Sequence, residues 1–159
     1  MVKSFQFSRL PLIIFGNGKV SALPGLIGQY GTSVILVTGS KSFSGSEQAG
    51  ELFEAFSKQN ILFHHIIIGG EPSPSMIDKA VAECGAEKFD AVVGIGGGSV
   101  LDAAKAISAM IYRSESVRSY LEGVGDSEHP GTKIPFIAVP TTSGTGSEAT
   151  KNAVISQTG

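Results

Sequence analysis

The stretch VVGIGGGSVLDAAK, at residues 92–105, decides the fold of this 159-residue chain. It opens with β-branched residues typical of a buried strand, passes through successive glycines and continues with apolar residues at helical spacing. A strand that turns directly into a helix points free backbone N–H groups and the positive end of the helix dipole at one place. Glycines without a Cβ let a phosphate approach that backbone closely. The stretch therefore predicts a strand, a phosphate-binding turn and a helix.

The same alternation of strand and helix extends on both sides of this stretch. Short apolar runs bounded by Gly or Pro predict strands at Leu12–Phe15, Val34–Thr38, Ile61–Ile68, Ala91–Ile95 and Pro135–Val139. Apolar residues every three or four positions predict helices at Lys19–Gln29, Ser46–Gln59, Ser75–Lys88 and Ser99–Tyr112. The polar residues 113–133 predict a short helix and a surface loop. This order predicts an α/β fold, a Rossmann-like parallel sheet with helices on both faces, whose ligands bind at the carboxyl ends of the strands.

Composition limits the class of protein. A hydrophobic content of 42% over 159 residues predicts one domain, residues 1–159, with a single core. A net charge of -2 without a basic stripe argues against a nucleic-acid partner. Cys84 is the only cysteine, which excludes an intramolecular disulfide and fits the reducing cytoplasm. Because no apolar run approaches the roughly 18 residues of a membrane span, we expect a cytoplasmic protein without a membrane partner.

A second motif, PTTSGTGSE at residues 140–148, directly follows the last predicted strand. Its five hydroxyl side chains and two glycines would place many neutral hydrogen-bond donors at the carboxyl end of that strand. Such donors suit phosphate or ribose oxygens. Local alternatives remain open for both motifs, because Thr145 and Glu148, like Ser99 and Asp102, have the spacing of a capping box that only starts a helix.

Together the two motifs resemble the iron-containing, or group III, alcohol dehydrogenase family. The resemblance implies cofactor-binding roles for Gly96, Gly97, Gly98, Ser99, Asp102, Thr141, Thr142, Thr145 and Thr150. Within this set, the glycines and Ser99 would hold the pyrophosphate, the threonines would line the cofactor groove, and Asp102 would lie near the nicotinamide. The implied reaction transfers hydride between a small alcohol and a nicotinamide, yielding an aldehyde or ketone.

The resemblance also implies a metal that this chain does not hold. In the family, Fe2+ or Zn2+ is bound by one Asp and three His in a helical domain that follows this one. The histidines here are His64, His65 and His129; the first two are adjacent in a predicted strand, so they point to opposite faces. We therefore expect no metal ligand and no catalytic residue in this chain. Its end, just after the strand-like residues 153–156, predicts a cut before the helical domain, an inactive fragment and a homo-oligomer when full length.

The choice of nicotinamide cofactor depends on Gly39, Ser40 and Lys41, which follow the second predicted strand. The family often has an Asp there, which binds the adenosine ribose hydroxyls and repels a 2′-phosphate. Gly, Ser and Lys leave room, a hydroxyl donor and a positive charge, so we predict NADP, with NAD as the alternative. A further departure is Glu71-Pro72, where the family often has Asn-Pro; that adenosine contact stays open.

Three other interpretations remain possible at this point. The chain could belong to an enzyme similar to glycerol dehydrogenase or dehydroquinate synthase, which share the nucleotide-binding domain. It could be a stand-alone nucleotide-binding module without catalysis. It could also be a flavodoxin-like domain in which the glycines only form turns.

Overall fold

The computed structural model describes residues 11–40, 43 and 45–156. Short 3-10 helices cover Lys19–Ala22 and Val117–Tyr120. The remaining elements are α1 (Leu23–Ile27), β1 (Ser33–Gly39), α2 (Glu47–Lys58), β2 (Leu62–Ile68), α3 (Pro74–Cys84), β3 (Ala91–Gly96), α4 (Gly98–Met110) and β4 (Phe136–Pro140).

The four strands form one parallel sheet in the order β2-β1-β3-β4. The strand β1 pairs with β2 from Ser33 opposite Leu62, and with β3 from Val34 opposite Ala91. The pairing of β3 with β4 ends with Gly96 opposite Pro140. The chain therefore changes direction across the sheet between β1 and β3, and such a switch point opens a crevice at the carboxyl ends of the strands. The predicted Rossmann-like parallel sheet is confirmed.

Two apolar layers cover the two faces of the sheet. Ile35 and Val37 of β1 pack with α3 and α4 on one face, whereas Val34 and Leu36 pack with α1 and α2 on the other. This alternation follows from the two-residue period of a strand. All six residues of β3 are buried, as expected for a central strand of a parallel sheet.

Glycines in β3 let the helix α4 lie close to the sheet. A Cβ placed on Gly94 would be 2.8 Å from the Cβ of Ala104, and one on Gly96 would be 2.6 Å from the Cβ of Val100. Both distances are too short for two carbon atoms that are not bonded. Gly94 and Gly96 are therefore required for the packing of α4 on the strand.

The four later strand predictions are confirmed within two residues at each end, but the strand predicted at Leu12–Phe15 is wrong. This run is irregular, and its side chains range from 42% exposed at Ile14 to 95% at Phe15. A strand requires a neighbour for its backbone hydrogen bonds, and no strand in the described part of the chain pairs with this run. The run at 153–156 likewise forms no strand; among the described residues, its Ser156 N donates to Pro72 O at 2.8 Å.

The predicted helices differ from the structure mainly in length. The helix expected at Lys19–Gln29 is a 3-10 turn followed by only five α-helical residues, with Pro24 in its first turn. The helix α3 begins after Ser73, whose hydroxyl accepts from Met76 N at 3.4 Å. No helix in the described ranges is long and apolar enough to cross a membrane.

The interpretation of Cys84 as a small apolar residue of a helix is confirmed. It lies on α3 and is 1% exposed. Burial and the neighbouring carboxylates of Glu83 and Glu87 raise the pKa of its thiol to about 11. The thiol is therefore protonated at neutral pH and unreactive.

The close approach of α4 to β3 predicts that Gly94→Ala is destabilising. The added methyl must push Ala104 or Phe136 away, so the free energy of unfolding should fall by about 1–3 kcal/mol. Thermal or urea unfolding measures this change. Gly50→Ala, on the exposed side of α2 with open space around its Cβ, is the matched control and should be neutral or stabilising. Equal unfolding temperatures for the two variants would contradict the close packing.

Candidate functional site

The amino end of α4 presents backbone N–H groups without a capping side chain. The N-cap is Gly97, in extended geometry, and it makes no side-chain hydrogen bond to the helix. Its carbonyl accepts the first helical bond, from Leu101 N at 3.0 Å. The N–H groups of residues 98–100 precede that bond and point out of the helix end, where the dipole is positive. The arrangement suits an anion.

The capping-box interpretation of Ser99 and Asp102 is wrong, because the helix begins before Ser99. The Ser99 hydroxyl instead donates to the Glu71 carboxylate at 3.1 Å. Asp102 is 6% exposed and accepts hydrogen bonds from Ser147 and Lys105. Both side chains thus contact other segments of the chain. The N-cap of α4 is Gly97, which has no side chain to cap the helix.

The loop after β4 lies directly against the glycine turn. Thr141 N donates to Gly96 O at 2.9 Å. A Cβ on Gly97 would lie 3.3 Å from the Thr142 hydroxyl, and one on Gly98 would lie 3.1 Å from a Thr145 methyl carbon. Side chains at either glycine would therefore fill the space between the turn and the loop. The structure brings the two sequence motifs together at one edge of the sheet.

A buried ammonium group holds this loop to α4. Lys105 is 8% exposed, and its Nζ donates to Asp102 Oδ1 at 3.2 Å, to Thr150 Oγ1 at 3.1 Å and to Asn152 O at 2.6 Å. The Ser147 hydroxyl completes the network by donating to Asp102 Oδ2 at 3.2 Å. All three donors of the ammonium are used, which offsets the cost of burying its charge.

The alternative role of the second motif, capping a helix through Thr145 and Glu148, is wrong. Residues 141–152 form turns and irregular backbone, not a helix. The turns are closed by Ala149 N and Thr150 N, which donate to Gly146 O at 2.9 and 3.2 Å. A loop of this kind depends on side-chain contacts for its position, and the Lys105 network supplies them.

The carboxyl end of β1 lies at the same edge. Gly39 closes the strand and Ser40 follows it, exposed, whereas Lys41 lies outside the described residues. Thr38, fully buried, has its hydroxyl 2.8 Å from His65 Nε2 on β2. Burial and the neighbouring His64 lower the pKa of His65, so its ring is neutral at pH 7.

A cleft of about 240 Å³ opens beside these elements and was not predicted from the sequence. It is lined by Val20, Phe43, Ser46, Gln48, Ile95, Val139 and Thr141. Its walls combine apolar side chains with a few polar groups, as small-molecule sites do. Neither Val20 nor Phe43 belongs to a recognisable motif, so the sequence did not predict that they line a cleft. Ile95 and Val139 end predicted strands, so the predicted sheet does locate them at this edge.

The three histidine rings face different surroundings: those of His64 and His65 lie on opposite faces of the sheet, and His129 lies in the loop after α4. The His64 ring packs on Phe89 at 6.2 Å, on the sheet face opposite that of His65. His129 Nε2 lies 3.1 Å from Ala109 O. Within residues 11–40, 43 and 45–156, no group of three or more His, Cys, Asp or Glu side chains could hold a metal ion. These described residues therefore do not fit the family's metal.

The chain belongs to the iron-containing alcohol dehydrogenase family. The family's model matches residues 11–159. The resemblance seen in the two motifs is thereby confirmed over nearly the whole chain.

Individual relatives agree with this assignment. The NADH-dependent butanol dehydrogenase A of Clostridium acetobutylicum is 31% identical over 155 residues, which is 96% of this chain but 39% of the relative. Among solved structures, the archaeal halo-thermophilic Red Sea brine pool alcohol dehydrogenase is 29% identical with a TM-score of 0.84, over 98% of this chain and 41% of that one. The sulfoacetaldehyde reductase of Bifidobacterium kashiwanohense, solved with NAD+, is 25% identical with a TM-score of 0.72, over 93% and 39%. The chain thus spans about two fifths of the length of these relatives.

The buried network predicts that Lys105→Met releases the loop. The substitution leaves the Asp102 carboxylate buried without its cation, so the free energy of unfolding should fall by about 3 kcal/mol. Amide hydrogen exchange of residues 146–152 should become faster, because the contacts to Thr150 and Asn152 are lost. The matched control is Lys79→Met, since Lys79 forms an exposed i,i+4 pair with Glu83 at 3.7 Å. It should change stability by less than about 0.5 kcal/mol. Similar stability and exchange in the two variants would rule out an anchoring role.

Proposed function

We propose that this chain binds a nicotinamide dinucleotide across the carboxyl edge of its sheet. The observation that carries the proposal is the uncapped amino end of α4, with Gly97 and Gly98 facing Thr142 and Thr145. A pyrophosphate there would accept hydrogen bonds from backbone N–H groups and meet the positive end of the helix dipole. The Ser99 backbone N–H and the hydroxyl groups of Thr141 and the neighbouring threonines would supply further donors.

The charges around this turn support binding by backbone and hydroxyl groups. The buried Lys105 ammonium forms an ion pair with Asp102 and uses all three of its N–H donors within the protein. It therefore holds the loop in place and has no donor left for a phosphate. In the proposed site Asp102 and Thr150 position the loop around the nicotinamide end of the cofactor. The apolar cleft beside Phe43 and Thr141 offers a surface for a flat ring of the dinucleotide.

For the whole protein, the proposal is an NAD(P)-dependent alcohol dehydrogenase of which residues 1–159 are the dinucleotide-binding domain. Family membership supports hydride transfer between a small alcohol and its aldehyde or ketone. We propose that Fe2+ or Zn2+ and the substrate are held by the part of the relatives' length that this chain does not match. On this account the 159-residue chain binds cofactor without oxidising alcohols, and the whole enzyme is a cytoplasmic homo-oligomer.

The residues that follow β1 bear on the choice between NAD and NADP. The sequence Gly39-Ser40-Lys41 supports NADP, since no carboxylate follows β1 to repel a 2′-phosphate. The names of relatives support NAD, because the Clostridium enzyme is called NADH-dependent. The preference for NADP stays a prediction, and it depends on the positive charge of Lys41.

The proposed phosphate turn predicts that Gly97→Ala loses cofactor binding while keeping the fold. Gly97 has φ −77° and ψ −174°, which alanine adopts freely, so stability should change by less than about 1 kcal/mol. The methyl would occupy the space for the pyrophosphate, and NADH affinity should fall at least about tenfold. Titration of NADH fluorescence measures affinity, and Gly50→Ala is the control. Unchanged affinity would show that the glycines only form a turn, as in the flavodoxin-like interpretation.

The NADP prediction is tested at Lys41. Replacing it with alanine removes a positive charge from the segment that follows β1 in the sequence, so NADPH affinity should fall about fivefold and NADH affinity should stay the same. Lys58→Ala, at the far end of α2, is the control for net charge. If wild-type protein binds NADH more tightly than NADPH and Lys41→Ala changes neither affinity, the prediction of NADP is wrong.

A further inference from the structure

The outer edge of β2 has no strand beside it in the described part of the chain. The strand β2 stands at one end of the order β2-β1-β3-β4, where it pairs with β1. An edge strand leaves one row of backbone N–H and C=O groups free to pair with another strand, and proteins commonly block that row with a charged residue, a proline or a bulge. The sequence of β2, LFHHIII, contains no Lys, Arg, Asp, Glu, Pro or Gly. This edge is therefore open to a further strand.

The hydrogen bonds to β1 show which backbone groups of β2 face outward. Leu62 N donates to Thr32 O at 2.7 Å, so the backbone of Leu62 faces β1. Successive residues of a strand direct their backbone groups to alternate sides. The backbone groups of Phe63, His65 and Ile67 therefore point away from β1, along the free edge.

The side chains of these three residues lie on the α2 face of the sheet. The Phe63 ring stacks on Phe53 of α2, with ring centroids 5.3 Å apart. Phe63 nevertheless stays 39% exposed, and Ile67 is 55% exposed. Between them lies His65, whose Nε2 is 2.8 Å from the Thr38 hydroxyl. Two exposed apolar side chains thus flank His65, one two residues before it and one two residues after it.

This spacing is self-complementary. If a second copy of the chain is turned about a two-fold axis through His65, its β2 runs antiparallel to the first. Phe63 then lies opposite Ile67 of the second copy, and His65 lies opposite His65 of the second copy. Because the backbone groups of all these residues face the free edge, each opposing pair can exchange two hydrogen bonds. An aromatic side chain opposite a β-branched one also stabilises neighbouring strands.

We propose that the free edge of β2 binds β2 of a second copy of this chain, antiparallel, and joins the two sheets into one. Burial and the neighbouring His64 lower the pKa of His65, so the two facing rings are neutral at pH 7 and do not repel each other. A contact of one seven-residue strand on each side is small, so the dissociation constant should be micromolar. The inference names a surface for the homo-oligomer proposed above and does not depend on dinucleotide binding.

The test compares Ile67→Lys with Val124→Lys by sedimentation velocity of the 159-residue protein over about a hundredfold range of concentration. Both substitutions put a lysine at an apolar residue of similar exposure, 55% at Ile67 and 57% at Val124. Wild type and Val124→Lys should change from monomer to dimer as the concentration rises. Ile67→Lys should weaken dimerisation at least about tenfold, because a lysine on an edge strand disfavours pairing. Its unfolding temperature should stay within about 4 °C of wild type, since Ile67 is already exposed.

A pair of cysteines tests the register. In a mixture of Phe63→Cys and Ile67→Cys proteins, residues 63 and 67 of different copies would have Cα atoms about 5.5 Å apart, within the span of a disulfide. In either variant alone, the two cysteines would be four residues out of register, about 13 Å apart. Oxidation should therefore cross-link the mixture and leave the single variants largely uncross-linked. The native Cys84 is buried, with its thiol protonated at neutral pH, so it does not compete.

The outcomes separate this inference from the proposed function. A monomer at every concentration would overturn the pairing and leave the edge to a different strand. A dimer that Ile67→Lys and Val124→Lys affect equally would show that another surface joins the copies, which contradicts the role of β2 and leaves the homo-oligomer standing. Single cysteine variants that cross-link as strongly as the mixture would contradict the antiparallel register. Failure of the wild type to bind NADH would overturn the proposed cofactor binding, whereas the concentration-dependent dimer would still support the pairing.

Discussion

The close packing of α4 on β3 determines where every other part of the site lies. Because Gly94 and Gly96 have no Cβ, the helix approaches the strand until Ala104 and Val100 are in contact with its backbone. That contact fixes the amino end of α4 at the carboxyl edge of the sheet, next to β4. The positive end of the α4 helix dipole thus faces the loop that follows β4, and no additional element is needed to bring the two together.

The buried ammonium of Lys105 stabilises the loop that follows β4. Lys105 and Asp102 neutralise each other beneath the turn, and their hydrogen bonds hold the loop at Ser147, Thr150 and Asn152. A dinucleotide would then be bound by backbone N–H groups and hydroxyls. Such donors are directional, so the position of the loop matters more to affinity than the net charge of the chain.

Much of the fold could be predicted from the sequence, because strands and helices that pack in the sheet have recognisable patterns of apolar residues. The residues 12–15 show the limit: they are as apolar as a strand, but hydrophobicity does not reveal whether a partner strand lies alongside. The two motifs located the glycine turn and the threonine loop. Contacts between distant segments, such as Lys105 with Asn152 or Glu71 with Ser99, leave no periodic signal and required the structure. The cleft beside Phe43 was missed for the same reason.

Dinucleotide binding at the glycine turn is tested most directly by the change in backbone amide chemical shifts when NADH is added to the isotopically labelled protein. Dinucleotide binding at the glycine turn predicts the largest changes at residues 97–100 and smaller ones at 141–145, since those N–H groups would face the pyrophosphate. The larger cleft, of about 470 Å³ and lined by Gly85 and Arg113 just beyond the carboxyl ends of α3 and α4, is the internal reference and should be unaffected. Largest changes at that cleft, or none at residues 97–100, would contradict dinucleotide binding at the glycine turn.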